Sequence, residues 1–215
     1  LLKWKENYIV IIPREIDRMW IFYNKITEEI EYRKIIEQKC QEILVADNRE
    51  NLLYFCPLYI QDPILIIDLD TLTCSQIIEN WIEKVPCDCS ITSWRGANNG
   101  KYIFFPIRNT RTLVRINCGI QKVDLLKLDI SEKVIDVDYA FGELWALPMS
   151  GSKLYQMDEN GLIVNTVELL LEDAADLLPD FARIVVQKRY MFLLPCYRRG
   201  IYVYDKLSEK TYIVP

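Results

Sequence analysis

Apolar and aromatic residues gather in short runs along the whole chain, and five of these runs end on proline. YIVIIP, LYFCP, YIFFP, ELWALP and YMFLLP place Pro13, Pro57, Pro106, Pro148 and Pro195 at successive gaps of 44, 49, 42 and 47 residues. A second apolar run follows each proline: WIFYN, ILIIDLD, LVRIN, KLYQMD and IYVYD. These carry Asn24, Asp68, Asn117, Asp158 and Asp205, which lie 11, 11, 11, 10 and 10 residues past the prolines. Both runs are apolar at successive rather than alternate positions, and Val, Ile, Tyr, Phe and Trp dominate them. That predicts strands covered on both faces. Proline has no N–H for a strand ladder and suits a strand end. The phased Asn or Asp is placed to open a turn by accepting a hydrogen bond from the backbone two residues on. Gly119 and Asn160-Gly161 are expected to supply positive φ in two of the five turns.

Each repeat resolves into four strand-like runs. The third reads CSITSW, KYIFFP, LVRIN and KVDLLKLDI; the fourth VIDVDYA, ELWALP, KLYQM and LIVNTVEL; the fifth ARIVVQ, YMFLLP, GIYVYD and KTYIVP. LLKWKENYIVIIP can be laid on ARIVVQKRYMFLLP, so Leu1 to Trp4 read as the first strand of the first unit. A repeat of this length, built of short strands and turns alone, is the pattern of β-propeller blades. The expected fold is therefore all-β: one domain of five four-stranded blades, at about 1–36, 37–82, 83–130, 131–172 and 173–215. Five units in phase either close a five-bladed ring or belong to a larger ring of six to eight. The chain opens on Leu1 rather than Met, so the native N-terminus is expected to be missing.

Three stretches also admit a helix on spacing: 28–43, 74–85 and 167–178. Each falls where a blade hands over to the next. A strand followed by a long or partly helical connection is expected there, with the 170s the most helical.

Composition narrows the chemistry more than the fold. With 51% hydrophobic and 27% charged residues, the 215-residue chain is ordinary for a soluble globular protein. No apolar run approaches the roughly 20 residues that span a bilayer, and no leader-like segment opens the chain. The net charge is −5 and the basic residues form no stripe, which disfavours nucleic acid. Seven cysteines (Cys40, Cys56, Cys74, Cys87, Cys89, Cys118 and Cys196) show no framework spacing. They read as buried free thiols in a reducing, cytoplasmic compartment. Cys87-Asp-Cys89 lacks a second pair at ligand spacing, so no metal site and no cofactor is expected. The chain has no histidine, which removes Ser-His-Asp and Cys-His catalysis and imidazole general bases.

The stretches LWALPMSGSKLYQMDENG (144–161) and LLYFCPLYIQDPILIIDLDTLT (52–73) resemble the repeats of the YVTN, NHL and two-component-regulator propeller families. The chain lacks the Gly-His and Trp-Asp dipeptides of WD repeats and the paired glycines of kelch repeats. The resemblance implies the fold and no particular ligand. It also implies that the first strand of each blade lines a central channel, which would place Trp4, Asp47, Trp94, Asp136 and Asp138 there.

Two function classes follow. Five-bladed glycoside hydrolases use carboxylates at the channel mouth, and Asp47 with Asp136 or Asp138 are the catalytic candidates. The competing reading has these side chains bonding backbone amides. No Glu lies on a first strand and no blade carries a long insertion. Trp4 and Trp94 either stack on a sugar or partner side chain or pack between blades; Trp20 and Trp145 read as core. The other class is a non-catalytic platform for a protein or peptide. The loops between second and third strands (14–18, 58–63, 107–112, 149–153 and 196–200) carry Arg14, Arg18, Arg108, Arg111, Lys153, Arg198 and Arg199 against Glu15, Asp17 and Asp62. Either they form a solvated rim of mixed sign, or the arginines grip an acidic partner. The platform is the expected function, with a carbohydrate-active enzyme or lectin as the alternative.

Overall fold

The computed structural model describes residues 2–4, 7–13, 18–36, 43–49, 52–57, 63–77, 90, 96–169, 181–195 and 200–214; residues 2–4, 43–49, 57, 76 and 77 are described by backbone alone. They form five four-stranded antiparallel sheets, each joined in chain order, and no helix occurs among them. Blade one holds β1 (Leu2–Trp4), β2 (Tyr8–Ile11), β3 (Met19–Asn24) and β4 (Ile30–Lys34). Blade two holds β5 (Ile43–Arg49), β6 (Leu52–Pro57), β7 (Ile64–Asp68) and β8 (Thr73–Ile77). Blade three holds β9 (Ala97–Asn98), β10 (Tyr102–Pro106), β11 (Thr112–Asn117) and β12 (Lys122–Lys127). Blade four holds β13 (Val134–Ala140), β14 (Glu143–Pro148), β15 (Lys153–Met157) and β16 (Ile163–Glu168). Blade five holds β17 (Phe181–Val186), β18 (Tyr190–Pro195), β19 (Ile201–Asp205) and β20 (Lys210–Val214).

The repeated prolines punctuate the strands as their chemistry requires. Pro57, Pro106, Pro148 and Pro195 are the last residues of their strands, and Pro13 lies just past β2. Pro57 faces Ile43, Pro148 faces Val134 and Pro195 faces Phe181, and beside each of these three pairs the first strand carries a register shift. A residue without an N–H leaves the end of the ladder unconstrained, so a bulge is tolerated there. The phased Asn and Asp residues open the turns in all five blades. Their Oδ1 atoms accept from the amides of Ile26 (2.9 Å), Asp70 (2.8 Å), Gly119 (3.0 Å), Asn160 (2.8 Å) and Leu207 (3.0 Å). Positive φ comes later in the turn, at Glu28, Leu72, Gln121, Gly161 and Glu209. Gly161 meets the expectation; Gly119 does not. In blade three Gln121 takes that conformation, at φ 52°.

Four apolar clusters hold the blades together, one between each consecutive pair. Trp20 and Phe22 of blade one meet Phe55 and Leu65 of blade two, with the Trp20 and Phe55 rings edge to face at 5.8 Å. Tyr54 and Ile66 meet Phe105 and Ile116; Phe104 and Leu113 meet Leu144 and Ala146. Trp145 and Leu154 meet Ile184, Met191 and Tyr204. Neighbouring residues of a middle strand thus face opposite blades, which is why both runs of the repeat are continuously apolar. The first strands β5, β9, β13 and β17 approach one another from blade to blade, while β4, β16 and β20 are largely exposed. First strands are therefore central and fourth strands peripheral.

Three further expectations meet the structure unevenly. In blade three the first strand among the described residues is Ala97–Asn98, just past the CSITSW run. Of that run only Ser90 lies among the described residues. Gly96 precedes the strand because a Cβ there would stand 2.8 Å from Ile103 and 2.9 Å from the Phe105 ring. The helix-compatible stretches do begin or end on strands, β4, β5, β8 and β16, as expected; their connections at 37–42, 78–85 and 170–178 lie outside the described residues. Cys56 and Cys118 are buried free thiols, and burial pushes the Cys56 thiol far above its ordinary range. Cys74 is exposed because it sits on the outer strand β8.

Among the described residues, no apolar cluster joins blade five to blade one. The side of β2–β4 turned away from blade two carries Ile9, Tyr23 and Ile30 in one row and Ile11, Ile21 and Tyr32 in the next. Ile11 is 40% exposed, Met19 49%, Ile30 55% and Tyr32 60%. Blade five turns Phe192, Val203 and Tyr212 outward in the same manner. Phe192 is consequently half-buried, whereas Trp145 on the corresponding strand of blade four is core.

Candidate functional site

The carboxylates on the first strand of blade four are engaged in joining it to blade five. β13 runs beside β17, and Asp136 and Asp138, two residues apart, point the same way. Asp136 is buried; its Oδ2 accepts from the Ile184 amide at 2.9 Å, and Asp138 Oδ2 accepts from the Val186 amide at 2.7 Å. They stitch one first strand to the next where no ladder connects the sheets. Asp47 lies on β5 opposite Tyr54 and Trp4 on β1 opposite Tyr8, but their side chains are outside the described set. Trp94 is outside it altogether. Among the described residues, no three Cys, Asp or Glu side chains converge as a metal site.

The arginine-bearing loops are described in part. Arg14, Arg198 and Arg199 lie outside the described residues, and Arg18 is exposed at the entry to β3. Arg108 is exposed, and its backbone N–H donates to the Ser90 carbonyl at 2.6 Å. Arg111 is exposed too, but its Nη1 donates to the Ile130 carbonyl at 2.7 Å, tying the loop to the connection after β12. Of the pair, Arg108 is the more available to a partner.

Sequence reasoning missed a third place, a groove of about 450 Å³ between blades four and five. It starts from a row that crosses blade four: Trp145 on β14, Gln156 on β15 and Asn165 on β16 are register partners. The row begins in the core and turns polar outward. Thr166, Val167 and Glu168 extend the wall, and Tyr204, Lys206 and Glu209 face it from β19 and the following turn. Glu143, at the start of β14, accepts from the Trp145 indole N–H at 2.9 Å and pairs with Lys206, which closes one end. Glu168 accepts from the Ser152 hydroxyl. Tyr204 is 5% exposed, lines the groove, and its hydroxyl has no hydrogen-bond partner among the described residues. Burial first, then Glu209 and Asp205, raises its pKa, so the hydroxyl stays a donor. The signal in the sequence was faint: Gln156 interrupts an otherwise apolar run.

The corresponding row of blade three is filled. Phe104, Arg115 and Asp124 are its register partners. The Arg115 guanidinium lies over Tyr102 at 4.6 Å and pairs with Asp124 at 3.0 Å. It also donates across the interface to the Glu159 carbonyl (2.8 Å) and Asn160 Oδ1 (3.2 Å) of the next blade's turn. The place an arginine occupies between blades three and four is thus an open groove between blades four and five.

No family model and no curated protein matches the sequence. Solved structures match along nearly the whole chain at low identity. A streptogramin B lyase shares 13% identity and a TM-score of 0.66, covering 95% of this chain and 66% of its own. The extracellular domain of a hybrid two component system from B. thetaiotaomicron shares 13% identity and a TM-score of 0.66, covering 98% of this chain and 27% of its own. A chain of the Mitotic Checkpoint Complex shares 10% identity and a TM-score of 0.63, covering 98% and 61%. The chain thus spans about two thirds or less of the length of each. A lyase, the extracellular domain of a two component system and a checkpoint complex share little beyond architecture, and what they establish for this chain is the β-propeller fold.

Proposed function

We propose that this chain is a non-catalytic propeller that binds a protein or peptide partner. The observation that carries the reading is the rim groove between blades four and five, a concavity of about 450 Å³ within the size range of ligand sites, with the Tyr204 donor left unused. The channel-side carboxylates support it from the other direction: Asp136 and Asp138 each give an oxygen to a backbone amide. The test is a displayed peptide library together with a glycan panel. The expected result is a peptide retained by the chain and no glycan converted. Conversion of any glycan overturns the reading in favour of the carbohydrate-active alternative. Retention of a glycan without conversion, and of no peptide, makes the chain a lectin.

The ring size belongs to the same proposal. The outer faces of blades one and five carry the residue pattern that is buried wherever two blades meet. We therefore infer that they seat further blades, so that these five form an arc of a larger ring. A density map of the natural protein should show six to eight blades; blade five packed directly on blade one would refute this.

A further inference from the structure

We propose that the groove between blades four and five takes an arginine side chain of the partner. This rests on the reading of the chain as a polypeptide-binding platform and names what that partner presents.

The first support is internal. At the preceding interface the same position of the same row is Arg115, and its guanidinium is held by a carboxylate, a carbonyl, an amide oxygen and an aromatic face. In blade four Gln156 stands in that position. It is too short to fill the space, and the groove remains. The flanking residues of the row differ too, Trp145 and Asn165 standing where blade three has Phe104 and Asp124, but the middle position is where a guanidinium lies in one interface and open space in the other.

The second support is charge. Three carboxylates line the groove, Glu143, Glu168 and Glu209, against one cation, Lys206. Lys206 is committed to Glu143. Glu168 engages a neutral hydroxyl and stands opposite Lys153 in the β15–β16 ladder, whereas Glu209 makes no ion pair among the described residues and is the carboxylate left to meet a cation. Planar guanidinium matches carboxylate and amide oxygens better than ammonium does, because its N–H groups are fixed in a fork.

The third support is Tyr204. Its ring is buried while its hydroxyl opens on the groove and makes no hydrogen bond among the described residues, so it is free to donate to an incoming acceptor. The backbone carbonyl beside a partner's arginine would supply one.

The test uses four acetylated ten-residue peptides of alternating serine with arginine, lysine, citrulline or glutamate, titrated into the chain by calorimetry. The arginine peptide should bind at least tenfold more tightly than the citrulline one, the neutral isostere. Gln156→Arg, which fills the groove from within as Arg115 does, should abolish that preference. Glu209→Gln should weaken it severalfold, whereas Glu31→Gln, an equal charge change elsewhere, should not. Equal binding of arginine and citrulline peptides, or unchanged binding by Gln156→Arg, overturns the proposal. If only the glutamate peptide binds, and Arg108→Ala with Arg111→Ala removes it, the platform reading stands and the groove assignment falls. If no peptide binds, both fall.

Discussion

Blade four and blade one are built from the same repeat, yet one is covered on both sides and the other on one. In blade four, Leu144 and Ala146 face blade three while Trp145 and Leu147 face blade five, and all four are buried. In blade one, Val10 and Phe22 face blade two and are buried, while Ile11, Ile30 and Tyr32 on the other side are not. An apolar position in this chain therefore records that a blade contact is possible, not that one is made. Burial stabilises about 25 cal/mol per Å² of apolar surface only where a partner removes the water. The same comparison explains the groove, which is an interface position left without its filling side chain.

The comparison breaks first at the core. Trp20→Ala, in the contact between blades one and two, should cost about 3–5 kcal/mol in chemical denaturation. Tyr32→Ala, on the uncovered face of the same blade, should change stability by about 0.5 kcal/mol or less. A comparable loss at Tyr32 would mean that the face is covered after all.

The stitch between first strands comes next. Asp136→Ala leaves the Ile184 amide buried without its acceptor, at a cost of about 1–3 kcal/mol. Asp136→Asn keeps an acceptor oxygen and should recover much of that loss. Failure of the Asn variant to recover stability would point to a role for the charge itself.

The smallest effect sharpens the contrast at blade five. Asp205 is buried on the outward side, and bidentate hydrogen bonds from Arg189 Nε (3.0 Å) and Nη2 (2.7 Å) hold its carboxyl well below the usual carboxylate range. A group whose folded pKa is depressed contributes stability above its unfolded value, near about 3.9, and loses it as pH falls. Arg189→Ala should therefore lower the melting temperature at pH 7, with the difference from wild type shrinking below about pH 4. A difference that persists unchanged at the lowest pH at which the chain still folds would contradict the linkage.

The repeat, the proline ends of the strands and the Asn or Asp of every turn were legible in the sequence because each is local chemistry. A missing N–H, or a side-chain oxygen two residues from an amide, acts within one hairpin. Gly119 shows the limit of that reasoning, since the left-handed residue of its turn is Gln121 and composition does not say which position must bend. The carboxylates of β13 could be read from sequence as catalytic or as structural. Their partners, the amides of Ile184 and Val186, stand 48 residues away in the chain, and only the packing of two first strands brings them within 2.9 and 2.7 Å.

The groove was invisible for the same reason. Gln156 in an apolar run signals little until β14, β15 and β16 are in register and blade five is set against them. The blades could be read from the chain, because strand periodicity, proline chemistry and turn hydrogen bonds are short-range. Which apolar faces are covered, which carboxylates act as stitches and where a cleft is left open became visible with the packing of the blades. Those depend on what another blade, distant in sequence, places opposite each side chain.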